Sequence, residues 1–182
     1  MADFRHETGR LWLRDWRDGD CDDFHRVCGD PRVMATLGPV MSRGETAKLI
    51  ADLQDRAARF GHTFWALERK SDGRVIGFTG LVRGNIAQIE GELEIGWRLA
   101  ADCWGQGYAR EAAEASLDWA KANRSGEPVV AITARANARS RALMERLGMT
   151  RRPERDFDHP RVPEGDPLRP HVLYAIDPGA RR

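Results

Sequence analysis

Trp104-Gly-Gln-Gly-Tyr-Ala-Arg110 decides the fold of this chain. It follows a strand-like run, Glu92-Leu-Glu-Ile-Gly-Trp-Arg-Leu99. It opens a helix-like run, Glu111-Ala-Ala-Glu-Ala-Ser-Leu-Asp-Trp-Ala120. A strand, a tight glycine turn and a helix start together make an anion site. Glycine lets the backbone approach a ligand closely, and the first N–H groups of a helix lack internal acceptors. Those donors and the positive end of the helix dipole suit a phosphate or pyrophosphate. The turn lies past mid-chain after antiparallel-looking strands, and a third glycine is missing. Both points argue against a dinucleotide fold. No Gly-Lys-Ser or Gly-Lys-Thr follows, which excludes a Walker-type loop.

Working outward, Leu11-Trp-Leu-Arg-Asp-Trp16 alternates as a half-buried first strand. Asp20 to Cys28 reads as a helix with an acidic first turn, and Pro31 starts a short helix ending near Gly38-Pro39. Ser42-Arg-Gly-Glu45 is a capping box for a longer helix with Leu49, Ile50, Leu53, Ala57 and Phe60 on one face, stopped by Gly61. Thr63–Arg69 and Arg74–Val82 flank Asp72-Gly73, a hairpin signal. Glu90 to Leu99 continues an antiparallel meander. The helix after the turn groups Ala109, Ala112, Ala113, Ser116, Leu117 and Ala120 on one face. Pro128–Ala134 reads as a central strand, and Asn137 caps a helix closed by Gly148. Met149–Phe157 and His171–Ile176 are expected as a last pair of strands, separated by a Pro-rich loop. The pattern is α+β around one mixed sheet, in a single domain spanning residues 1–182.

The 29 Lys and Arg balance 28 Asp and Glu to a net charge of +1. That is no footprint of a nucleic-acid partner. No apolar run approaches the ~20 residues that cross a bilayer. Met1-Ala-Asp-Phe-Arg-His-Glu7 lacks a signal-peptide core, so a cytoplasmic location is expected. Cys21, Cys28 and Cys103 match no zinc spacing and read as free thiols, and the histidines show no metal-ligand spacing. No metal is expected.

Three ordered motifs carry a resemblance: Glu94-Ile-Gly-Trp-Arg-Leu99, Trp104–Ala112 and Ala136–Met149. The chain resembles the GNAT superfamily of acyl-CoA-dependent N-acetyltransferases. Within it, Arg10-Leu-Trp-Leu-Arg14 and Val75–Leu81 also fit the branch of ribosomal-protein N-terminal acetyltransferases, RimJ and RimL. The resemblance implies a mixed, mostly antiparallel central sheet with helices on both faces, and acetyl-CoA as co-substrate. It implies that the turn binds the cofactor from Trp104 and Gly105 onward, with the main-chain N–H groups of Gln106, Gly107, Tyr108, Ala109 and Arg110 holding the coenzyme A pyrophosphate. Gly107 and Ala109 take the small positions of the family motif, whereas Trp104 stands where many members carry Arg or Gln. The backbone of Trp97 and Leu99 would carry the pantetheine arm. Asn137 matches a family asparagine that contacts pantetheine, and serves equally well as a helix N-cap. Arg141 is a candidate for the 3′-phosphate, whereas Arg139 reads as a solvated basic face.

The chemistry the resemblance implies is attack of an amine on a thioester. A free amine near pH 7 is largely protonated, so a general base helps. Glu94 occupies the family position often given this role, and Glu92 lies on the same strand face as an alternative. The departing thiolate is served in many relatives by a tyrosine seven residues past Asn137. Here that residue is Met144, which leaves Ser140 as the candidate donor. The expected acceptor is a protein or peptide N-terminal amine. A small-molecule amine (a polyamine, amino acid or antibiotic) is the runner-up, and a non-catalytic acyl-CoA sensor is the third reading. Pro31–Ser42 and Phe157–Pro170 are expected to shape the acceptor site. A homodimer fits the branch, with no residue pattern that requires it.

Overall fold

A computed structural model of the chain describes residues 4–177 and Gly179. The opening Met1-Ala-Asp3 lies outside the described residues. The elements in chain order are β1 (Arg5–Glu7), β2 (Leu11–Arg14), α1 (Cys21–Cys28), α2 (Pro31–Met34), α3 (Arg43–Phe60), β3 (Phe64–Arg69), β4 (Val75–Arg83), β5 (Leu93–Leu99), α4 (Tyr108–Asn123), β6 (Val129–Ala134), α5 (Ala138–Arg146), β7 (Thr150–Arg151), β8 (Phe157–Asp158) and β9 (Pro170–Ile176). All described strands join one sheet in the order β1-β2-β3-β4-β5-β6-β9-β7, with β8 also on β9. Every pairing is antiparallel except β5 with β6.

Two apolar layers sandwich this sheet. Phe24, Val27, Val33, Ile50 and Leu53 from α1, α2 and α3 cover Ala66, Val75 and Phe78 on one face. Ala112, Ala113, Leu117 and Ala120 of α4, with Leu143 and Met144 of α5, cover Leu67, Leu93, Ile95 and Val129 on the other. Helices on both faces are thus as expected. The small side chains of α4 let it lie close to the sheet. Local signals hold at several boundaries. The Ser42–Glu45 box is formed, with Glu45 N–H donating to Ser42 Oγ at 3.2 Å and Ser42 N–H to Glu45 Oε2 at 2.7 Å. Gly61 ends α3 at φ +73°. In β4, Gly77 lets β5 come close, because a Cβ there would lie 2.0 Å from the Arg98 carbonyl oxygen.

Three expectations are corrected, and one element was not expected at all. Arg5–Glu7 forms an edge strand that no apolar alternation announced; it is held by its register with β2. Phe60 is 38% exposed at the end of α3 instead of facing the core. The helix begun by Pro31 ends at Met34, and the following turn closes with Gly38 N–H bonded to the Met34 carbonyl. The single strand Met149–Phe157 is instead two short strands. Pro153 supplies no N–H, and a one-turn helix at Pro153–Arg155 interrupts the ladder.

Arg14 ties β2 to the start of α1. Its Nη1 and Nη2 reach both Asp20 oxygens at 2.7 and 2.8 Å, and its Nε reaches Glu68 at 2.6 Å. Its side chain is only 4% exposed. Removing one partner of such a pair leaves a buried charge uncompensated. Arg14→Ala is therefore expected to lower unfolding free energy by about 3–5 kcal/mol in urea denaturation. Arg59→Ala, which breaks the exposed pair with Asp55, should change it by less than about 1 kcal/mol.

Candidate active site

The turn ahead of α4 has the geometry its sequence promised. Gly105 and Gly107 sit at φ +73° and +85°, the left-handed region that disfavours other residues. Gly107 is the N-cap, and no side chain caps the helix. The first helical bond runs from Glu111 N–H to the Gly107 carbonyl at 3.0 Å. The amides before it therefore have no helical acceptor. Arg10 braces the turn from β2's side. Its Nε bonds Glu111 at 2.7 Å, its Nη1 bonds the Gln106 carbonyl at 2.8 Å, and its guanidinium lies 4.4 Å from the Tyr108 ring centroid. Sequence reasoning missed this role; the signal available was an arginine just before β2 and a glutamate in the first turn of α4.

The turn opens into a cavity of about 1410 Å³. Its origin is a parting of two strands. β5 and β6 pair only at Leu93↔Val129 and Glu94↔Val130, and beyond them the ladder stops. Gly96, Trp97 and Leu99 of β5 then face Ile132 and Thr133 of β6 across the gap. The unpaired edge of β5 is main chain that a ligand can hydrogen-bond. At its far end the Leu99 carbonyl is already taken by the Trp104 indole N–H at 3.0 Å.

Glu94 stands where the strands part and lines the cavity. Its carboxyl has no hydrogen bond or ion pair within the described residues. Burial pushes its carboxyl up to about 7, only partly opposed by the charges of Arg56 and Arg161. A carboxyl poised near neutrality in a cleft is suited to accept a proton. The alternative, Glu92, is committed elsewhere: Arg155 grips it through both terminal nitrogens, one at 3.1 Å.

Asn137 caps α5, its Oδ1 accepting from Ser140 N–H at 3.2 Å. Both residues line the cavity, as does Met144. The two arginines of α5 are placed differently. Arg141 does not line the cavity; its Nη1 turns back to the Arg135 carbonyl at 3.2 Å. Arg139 lines it, with its guanidinium 4.2 Å from the Trp104 ring centroid. Gln106 also points away, its amide nitrogen bonding the Asp102 carbonyl at 2.7 Å.

Of the segments expected to shape an acceptor site, the first supplies Arg32, Val33 and Leu37 to the cavity, and the second supplies His159. The His159 and His171 rings lie 4.6 Å apart. Burial, with the charges of His171 and Arg161 adding to it, pushes His159 down to about 4, so it is neutral near pH 7. Among the described residues no group of three or more His, Cys, Asp or Glu is placed to hold a metal ion. Nor is any helix long and apolar enough to cross a membrane.

The sequence matches the acetyltransferase (GNAT) domain family over residues 10–150. The uncharacterized protein YkkB of Bacillus subtilis is 32% identical over 145 residues, covering 78% of this chain and 83% of that protein. An acetyltransferase from Agrobacterium tumefaciens strain C58 superposes with a TM-score of 0.76 at 27% identity, covering 97% of this chain and 95% of its own. RimL, a ribosomal L7/L12 α-N-protein acetyltransferase in complex with coenzyme A, shares the fold at a TM-score of 0.74 and 20% identity, covering 96% of this chain and 97% of its own. The glycine turn, the parted strands and the family match converge: the chain belongs to the GNAT family of acetyl-CoA-dependent N-acetyltransferases.

Proposed function

We propose that this acetyltransferase acetylates the N-terminal α-amine of a protein or peptide by direct attack within a ternary complex. The observation that carries the catalytic part is the placement of Glu94, raised to about 7, in the same cavity as the uncapped glycine turn. The peptide acceptor is supported by the ribosomal-protein acetyltransferases among its structural neighbours. It is supported also by the apolar residues Leu37 and Val40 on the loop after α2, which stand 43% and 51% exposed.

The residues present fit coenzyme A. Main-chain N–H groups of Gly105 through Arg110 would hold its pyrophosphate at the helix start, where no side chain competes. The open edge of β5 around Trp97 would hold the pantetheine arm. Asn137 lies on the opposite wall of the same cavity. Arg139 supplies positive charge there. When bound, acetyl-CoA supplies an activated thioester. Glu94 takes the proton from the attacking amine, directly or through water. A main-chain N–H of the β5 edge donates to the carbonyl oxygen as negative charge develops on it. Ser140 Oγ donates a hydrogen bond to the sulfur as it departs.

Four outcomes test this reading. Glu94→Gln should lower kcat by about 10²–10⁴-fold while acetyl-CoA affinity is kept. A sensor would instead bind and signal normally. The base works only when deprotonated, so wild-type activity should fall as pH drops through about 7. That limb should vanish in Glu94→Gln, leaving only the limb of the amine itself near about 8. Gly107→Ala places a Cβ at φ +85° and should weaken acetyl-CoA binding in calorimetry by about tenfold. Ser140→Ala should reduce kcat by less than about tenfold, because a thiolate leaves readily without a full proton transfer.

A further inference from the structure

Arg98 is a cation without a counter-ion. It lies two residues past Gly96 and four past Glu94 on β5, so alternation puts all three on one strand face. It lines the cavity. Its Nη1 donates to Cys28 Sγ at 3.2 Å and to Met41 Sδ at 3.4 Å. Sulfur is a weak acceptor. Its Nε is buried with no hydrogen-bond partner, and its guanidinium lies 5.4 Å from the Phe78 ring centroid. No carboxylate among the described residues pairs with it. Burial raises the Cys28 thiol against the pull of Arg98, so the sulfur is a neutral thiol and no substitute anion. The neighbouring cavity arginine, Arg32, is already held by Asp30 at 2.7 Å.

A half-buried guanidinium held only by sulfur and an aromatic ring is left free to pair with an anion that enters the cavity. The pyrophosphate is provided for elsewhere, at the turn before α4. What remains to approach this strand face is the acceptor, on the side of the cavity that Arg32, Val33 and Leu37 line. Between the two charged residues Gly96 makes room for the Phe64 ring, which lies over it (a Cβ there would meet that ring at 2.7 Å) and lines the cavity. We propose that Arg98 selects the acceptor: its guanidinium binds a carboxylate on the same molecule whose amine is presented to Glu94. Glu94 and Arg98 are about 13 Å apart along the strand at Cα, at roughly 3.3 Å per residue. An N-terminal peptide with an acidic residue close behind its amine comes nearer to that span than a free amino acid does. This inference rests on the acetyltransferase reading above.

The test measures acetyl transfer with matched acceptors at saturating acetyl-CoA. The acceptors are short peptides carrying Asp or Asn at the second position, free amino acids and their amides, and a polyamine. Wild type should favour the carboxylate member of a pair by about tenfold or more in kcat/KM, as a charge-assisted contact gives. Arg98→Gln should abolish the preference and leave the acetyl-CoA KM unchanged. Arg98→Lys, which keeps the charge without the planar fork, should retain part of it. Preference confined to the peptides, or shared with the free amino acids, identifies which source of carboxylate is read. Equal rates within pairs, a preference that survives Arg98→Gln, or a best rate with the polyamine overturns the proposal while the acetyltransferase reading stands. An Arg98→Gln effect confined to the acetyl-CoA KM also overturns it. No turnover with any acceptor contradicts the acetyltransferase reading itself.

Discussion

A strand edge left without a partner is the constraint on which this structure depends. β5 and β6 share two register pairs and then part. Buried main-chain groups need hydrogen-bond partners, and an open edge in the middle of a sheet is rare for that reason. Here it is tolerated because it lines a cavity. The strands on either side are fixed independently: β5 is zipped to β4 over seven pairs, and β6 to β9 over six. The gap is therefore held open by its flanks and does not close by collapse.

The same parting sets the electrostatics. Glu94 sits at the last β5–β6 pair, and its carboxyl is raised by burial, with the charges of Arg56 and Arg161 only partly opposing it. A structural role would have been served better by a pairing such as Glu92 has with Arg155. At the other end of β5 the chain turns through two left-handed glycines into a helix with no capping side chain. One cavity thus joins an anion-accepting main-chain turn to a carboxyl poised near neutrality. Arg98 adds a cation between α1 and β5 that its neighbours do not neutralise.

Much of this was legible in the sequence because it rests on local rules. The turn was readable from Gly105 and Gly107, since only a positive φ makes glycine obligatory there. The α3 start was readable from Ser42 and Glu45, and the α5 start from Asn137. The mixed sheet with helices on both faces followed from the motif order. What was not legible depends on distant partners. Residues Arg5–Glu7 carry no strand pattern and are ordered by pairing with β2. Pro153 split an expected strand. Arg139 and Arg141 differ by two positions on one helix, and only the placement of Trp104 and of the Arg135 carbonyl shows which faces the cavity. Glu92 and Glu94 were equivalent by alternation until Arg155, some sixty positions away, claimed one of them. The isolation of Arg98 has no sequence signature at all, because it consists of partners that are not there.

The most direct test of the account is a backbone amide NMR titration of the protein with acetyl-CoA. The account predicts saturable shifts concentrated in the amides of Gly105 through Arg110 and along the open edge of β5 beyond Glu94. The paired stretch of β4 on the far side of β5 should change little. Binding that perturbs another face of the molecule and leaves those amides unmoved would contradict it, as would no binding at all.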